Sequence, residues 1–161
     1  MNKYRKINRL IKYDYSQPGY YFVTICTSNR VECFGNVENG VMVLNQDGQA
    51  AEKHWIDSPA HYKNVDIDEF IVMPNHLHGI IIIKDSKIEG LQNNLSKIVG
   101  SYKNVVTKEI HKKGNQNFAW QASFYDHVIR KDESLDKIRE YIKNNPLKWE
   151  LDRNNLSNLW M

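Results

Sequence analysis

The stretch Met73-Pro74-Asn75-His76-Leu77-His78-Gly79-Ile80-Ile81-Ile82-Ile83 decides how the rest of the chain is read. Pro74-Asn75 separates two apolar runs, Val65 to Met73 and His76 to Lys84, which predicts an antiparallel pair of strands joined by a tight turn. The isoleucine run marks a central strand covered on both faces, because a half-exposed strand would alternate with polar residues. On such a strand His76 and His78 point the same way, and Leu77 points into the opposite layer. Their Cβ atoms then lie about 7 Å apart, close enough for both rings to reach one metal ion. The same spacing also suits two histidines that simply satisfy hydrogen bonds.

Working outward, Tyr20 to Thr27 is rich in β-branched and aromatic residues and predicts a strand. Val31 to Val37 and Gly40 to Leu44 flank Asn39-Gly40, a strong hairpin signal. Asn45 is placed to cap a helix running to about Ser58, just before Pro59. The spacing predicts a longer helix from Leu95 to about Lys113, closed by Gly114. Trp120 to Ile129 reads as a strand or extended segment. Asp132 to Asn144 reads as a helix, with Ser134 or Asp132 near its cap and Pro146 beyond its end. There is no internal repeat and no linker. The expectation is a single α+β domain over residues 1–161, an antiparallel sheet with helices packed on it and His-x-His on a central strand. Residues 1–18 form a basic N-terminal arm.

Composition narrows the function. The chain has 161 residues, 41% hydrophobic and 11% aromatic, enough for a conventional core and too apolar for a disordered chain. No apolar stretch approaches the roughly 20 residues of a membrane span, and no apolar segment follows the basic start to make a secretory signal. Cys26 and Cys33 are too few for a disulfide framework, so a reducing cytoplasm is the expected compartment. The net charge of +3 decides little, but residues 1–16 and 97–113 each carry a net +4. Such blocks fit a polyanion partner, although solvated lysines on a soluble protein are the commoner reading. No Gly-rich phosphate loop, Walker lysine or Gly-x-Ser-x-Gly elbow is present, so nucleotide hydrolysis has no support.

Three further stretches carry chemistry. In the last helix, Leu135, Ile138 and Ile142 form an apolar stripe, and Tyr141 and Asn145 are i,i+4 neighbours beside it. A nucleophile next to a neutral oxygen ligand is one reading of that pair; a boundary tyrosine and a C-capping asparagine is the other. Lys97, Lys108 and Lys112 fall within about 60° of one another on the Leu95 helix, where they could track a phosphate backbone or face solvent. The aromatics of Trp120 to Arg130 could stack on unpaired bases or pack in the interior. Asp126 and His127 face opposite ways on a strand, which argues against a catalytic pair.

Taken in order, Phe22-Val23-Thr24, Met73-Pro74-Asn75-His76-Leu77-His78, Trp120-Gln121 with Phe124 to Arg130, and Tyr141-Ile142 with Asn145-Pro146 resemble the REP-associated tyrosine transposases. These belong to the HUH (His-hydrophobic-His) single-strand transposase superfamily, and the likeness runs from about Tyr20 to Lys148. The resemblance implies a ferredoxin-like HUH nuclease fold with residues 132–145 as the helix carrying the tyrosine. It implies His76, His78 and Asn145 as ligands of a divalent magnesium or manganese ion, and Tyr141 as the nucleophile. The implied activity is cleavage of single-stranded DNA beside hairpins, giving a 5′-phosphotyrosine link and a free 3′-hydroxyl, then strand rejoining. The implied partner is single-stranded or hairpin DNA, without membrane or nucleotide cofactor, acted on by a monomer or homodimer. Arg5, Lys6, Lys97, Lys108, Lys112 and Arg130 are the expected DNA contacts. One departure stands out: where relatives commonly carry a basic residue after Trp-Gln, this chain has Ala122-Ser123. The alternative reading is a domesticated hairpin-binding protein that no longer cuts, and a more distant one is a metal-dependent hydrolase of another substrate. The chain ends at Met161, soon after the tyrosine helix, so no added regulatory tail is expected.

Overall fold

The computed structural model describes residues 13–85, 93–131 and 133–151. Strand β1 (Gly19–Cys26) leads into a hairpin of β2 (Gly35–Glu38) and β3 (Val41–Leu44), then helix α1 (Gln46–Asp57). Strands β4 (Val65–Met73) and β5 (His76–Ile83), helix α2 (Leu95–Lys112), strand β6 (Tyr125–Ile129) and helix α3 (Leu135–Lys143) follow. A 3-10 segment, Pro146–Leu151, continues from α3. The sheet runs β4-β5-β1-β6, with every pairing antiparallel. With the β2–β3 hairpin set aside as an insertion, this is the β-α-β-β-α-β order of a ferredoxin-like domain. The His-x-His strand β5 is an interior strand, paired on both edges.

Strand alternation divides the sheet into two chemically different faces. Tyr21, Val23, Ile25, Leu77 and Ile81 belong to one buried cluster with the apolar faces of α1 and α2. Both crossover helices therefore cover the same side. Trp55 of α1 presses so closely on β5 that a Cβ at Gly79 would sit 2.5 Å from its ring. Tyr102 of α2 meets Trp55 edge-on at 5.2 Å and donates its hydroxyl hydrogen to the Ala51 carbonyl at 2.8 Å. Phe22, Thr24, His76 and His78 point to the other face, where α3 lies against β4.

The local expectations hold in most elements, with instructive exceptions. Asn39 and Gly40 both have positive φ (51° and 76°), as a two-residue type I′ turn requires. Asn45 caps α1 by accepting from the Gly48 amide at 2.9 Å, and Ser134 caps α3 in the same way. The strand expected from Val31 starts only at Gly35, because Asn29 and Arg30 both take left-handed φ and turn the chain out of the sheet. The extended run expected from Trp120 shrinks to β6. Trp120 makes a single bridge to Thr27, and Ser123 at φ 67° breaks the strand before Tyr125. Lys103 holds that break by donating to the carbonyls of Gln121 (2.9 Å) and Ser123 (2.7 Å). Of the basic arm, Tyr13 and Tyr15 pack against the core beside Tyr21. Residues 1–12 lie outside the described residues, as does Asp132.

Candidate active site

The two histidines sit where the sheet's second face meets the end of α3. In register, Thr24 of β1 lies opposite His78, and Cys26 opposite His76. The imidazole rings are 4.5 Å apart at 73°, so they converge rather than stack. Thr24 Oγ1 is 2.7 Å from His78 Nδ1. His76 Nδ1 is 2.7 Å from Asn75 Oδ1, and the Asn75 amide nitrogen donates to the Arg30 carbonyl at 3.3 Å. That second bond fixes the amide's orientation, so Oδ1 can only accept from His76. The proton on His76 therefore resides on Nδ1, and the lone pair on Nε2.

Electrostatics keep the ring in that neutral form. His76 is fully buried, and burial pushes its imidazole down to about 3, against an opposing pull from the Asn145 side chain. Neutral imidazole is the form that binds a cation. The Asn145 side chain is buried too, and among the described residues its Oδ1 has no hydrogen-bond partner apart from the pull it exerts on His76. The C-cap reading of Asn145 fails: Asn144 occupies that position, and the turn into Pro146–Leu151 swings the Asn145 amide inward toward His76. Among the described residues no cluster of three His, Cys, Asp or Glu side chains could hold a metal ion. Beside the two histidines stands a neutral amide oxygen, Asn145 Oδ1.

Tyr141 stands at the open side. It is 42% exposed, and its ring lies 5.6 Å from His78 and edge-on to Phe22 at 6.2 Å. Phe22 stacks on His78 at 5.5 Å, and Trp149, from the segment after α3, stacks on His76 at 6.1 Å. The imidazoles are thus bracketed by two apolar rings that fix their planes. Helix α3 is short, nine residues, and buries only Ile142 fully. Its seating comes largely from charge. Arg139 Nε and Nη2 each reach a different oxygen of Asp68 at 2.7 Å, and Lys143 approaches Glu69 at 3.8 Å. Asp68 and Glu69 occupy a bulge in β4, between Ile67 and Phe70, which turns two consecutive acids toward the helix. Donation from Arg139 holds the Asp68 carboxyl below its usual range.

Sequence reasoning did not find Asn75, Trp149 or the Arg139–Asp68 fork. In the sequence Asn75 reads as a turn and motif residue with no contact of its own, although an amide next to a candidate ligand is a signal for the bond it makes to His76. Of the expected DNA contacts, Arg130 directly follows β6 and is exposed. Lys97, Lys108 and Lys112 are exposed on α2, across the sheet from the histidines, so the structure does not bring them to this site. Arg5 and Lys6 lie outside the described residues.

The family profile described as "Transposase IS200 like" matches residues 19–145, from the first residue of β1 to Asn145. The chain belongs to the IS200-like transposase family. An uncharacterized protein of Haemophilus influenzae Rd is 37% identical over 93% of this chain and 92% of its own length. Two solved structures share the fold. A REP-associated tyrosine transposase bound to a REP hairpin aligns with a TM-score of 0.60 at 22% identity, covering 95% of this chain and 77% of that one. A protein of Deinococcus radiodurans R1 assigned as a transposase aligns at 0.52 and 13% identity, covering 86% of this chain and 97% of its own. Membership fits the α+β architecture and the resemblance read from the ordered motifs. No helix among the described residues is long and apolar enough to cross a membrane.

Proposed function

We propose that this chain cuts and rejoins single-stranded DNA beside a hairpin, with Tyr141 as nucleophile and His76, His78 and Asn145 holding a divalent cation. The observation that carries the reading is the convergence of a half-exposed tyrosine on two buried imidazoles with a buried amide oxygen beside them. The relative solved with a REP hairpin supports the choice of DNA substrate.

The donor set fits magnesium or manganese. With Nδ1 of each imidazole engaged by Thr24 or Asn75, coordination falls to the Nε2 atoms, and the Asn145 oxygen adds a hard donor. A bound divalent ion supplies charge that polarises the scissile phosphate. The protein's own residues do the rest. Phe22 and Trp149 hold the ring planes, and Phe22 also supports the Tyr141 ring at the mouth. The Tyr141 hydroxyl oxygen forms a bond to phosphorus as the phosphorus bond to the 3′ oxygen breaks. That oxygen leaves as the 3′-hydroxyl of the upstream fragment, taking up one proton for the one the phenol gives up, and the downstream fragment stays on the protein through its 5′ phosphate as a phosphotyrosine. The link keeps the reactivity of a phosphodiester, so a 3′-hydroxyl can attack it and reseal a strand without a nucleotide cofactor.

The test is a denaturing gel after incubation with manganese and labelled single-stranded hairpins taken from beside the gene. A protein–DNA adduct is expected, absent with chelator and absent in Tyr141→Phe. Adduct formation by Tyr141→Phe refutes the nucleophile, and binding without any adduct favours a hairpin-binding role.

A further inference from the structure

The sheet face that carries the histidines continues away from them for two more rows of side chains. Across β5, β1 and β6 the rows read His78–Thr24–Tyr125, then Ile80–Phe22–His127, then Ile82–Tyr20–Ile129. Successive rows are about 7 Å apart, comparable to the reach of one extended nucleotide. The last row floors a cavity of about 1000 Å³ that extends to the start of α3. Tyr20, Tyr125 and Tyr141, at 36%, 41% and 42% exposure, are the exposed aromatic side chains among the described residues. All three lie on this one face.

The cavity rim carries Lys84, Arg130 and Lys131 with two acids, Asp66 and Glu133. Both acids are engaged: Asp66 with Lys84 at 3.4 Å, and Glu133 with His127 at 2.7 Å and the Arg130 backbone amide at 3.2 Å. The side chains of Arg130 and Lys131 are exposed and form no close ion pair among the described residues, although the Arg130 charge also acts on Glu133. An apolar floor beside two exposed cations matches the chemistry of an unpaired nucleotide, a ring with a phosphate on either side.

We infer that this cavity binds an unpaired nucleobase of the DNA strand, stacked on Tyr20, with its flanking phosphates on Arg130 and Lys131. Tyr20 and Thr24 are four residues apart on β1, about 13 Å, which places the base about two nucleotides from the phosphate held at the histidines. The inference rests on the strand-cleavage reading, since it takes the scissile phosphate as its origin. It adds that the protein grips the strand at a fixed distance from the cut, on a site separate from the ligand set.

The test is an abasic scan. Single-stranded hairpin substrates carry one abasic residue, stepped through each position flanking the cut, and both affinity by anisotropy and adduct yield in manganese are recorded for the full chain. One position about two nucleotides from the cut is expected to weaken binding roughly tenfold in the parent protein. In Tyr20→Ala the intact strand binds roughly tenfold more weakly, and the abasic residue at that position costs nothing further. Tyr20→Phe, which keeps the ring, retains the parent profile and shows that the strand tolerates substitution. Arg130→Ala with Lys131→Ala weakens every substrate alike and reduces the salt dependence. A flat scan with normal adduct formation overturns the cavity assignment and leaves the cleavage reading intact. Additive losses from Tyr20→Ala and the abasic residue overturn it as well. Absence of binding to any strand overturns both.

Discussion

Thr24→Val removes the Oγ1 contact to His78 Nδ1 while keeping the side chain's shape, so it separates ligand orientation from packing. Thr24 is buried and the contact is 2.7 Å long. Losing one neutral buried hydrogen bond costs about 1 kcal/mol, and leaving the ring nitrogen without that partner raises the cost to at most about 3. For a domain of this size that lowers the melting temperature by about 2–10 °C, so the variant remains folded at assay temperature. The effect on metal is expected to be larger in proportion. Removing a residue that orients a ligating histidine typically weakens metal binding about 10- to 100-fold. Manganese affinity is read by titration calorimetry or by the free-ion paramagnetic resonance signal, well below the unfolding transition. Adduct formation at limiting manganese should fall in step, and saturating manganese should restore most of it, because Thr24 touches neither Tyr141 nor the phosphate. A folded Thr24→Val with parental manganese affinity would refute the assignment of His78 as an oriented ligand.

Three other perturbations are decided by single features. Ile142→Ala empties a fully buried position on the tyrosine helix and should cost about 2–5 kcal/mol, measured by urea denaturation, with adduct yield falling only as the folded fraction falls. Gly79→Ala places a methyl 2.5 Å from the Trp55 ring and should destabilise by about 1–3 kcal/mol, accompanied by a change in near-ultraviolet dichroism. The third concerns acid. Because Arg139 holds the Asp68 carboxyl below its unfolded value, the fork stabilises the protein above the ordinary aspartate range, and that stability is lost as pH falls through the lowered value. Asp68→Asn should therefore be less stable than the parent at neutral pH and converge with it in acid; parallel stability curves would contradict the fork's role.

What could be read from residues alone follows from the range of the forces involved. The Asn39-Gly40 turn is local chemistry, and so is the shared direction of His76 and His78, which period-two alternation requires of any strand. The helix at Leu135–Lys143 was equally plain from its apolar stripe. Its seating was not, because Val65 to Met73 reads as one uninterrupted strand, and nothing in it announces the bulge that turns Asp68 and Glu69 toward Arg139 and Lys143. Asn145 could be read as a cap or a ligand, and only the turn that follows Asn144 takes it out of the cap position. Trp149 carried no signal, since its partner His76 is 73 positions earlier. The helical wheel of α2 places Lys97, Lys108 and Lys112 on a common side, but a wheel does not know which layer of the domain its helix joins.

The strand order has a consequence for how the molecule is made. The groups gathered at the candidate site come from β1, from the β4–β5 turn, from β5, from α3 and from the segment that follows it, so no short fragment contains them. A growing polypeptide exposes its histidines long before Tyr141 and Asn145 have been added. Until then β6 and α3 are missing, β1 lacks one neighbour, and the buried amide oxygen and the phenol are absent. On the proposed reading, cleavage chemistry therefore switches on only once α3 and the segment after it have been added, and a product truncated before them carries the paired imidazoles without Tyr141.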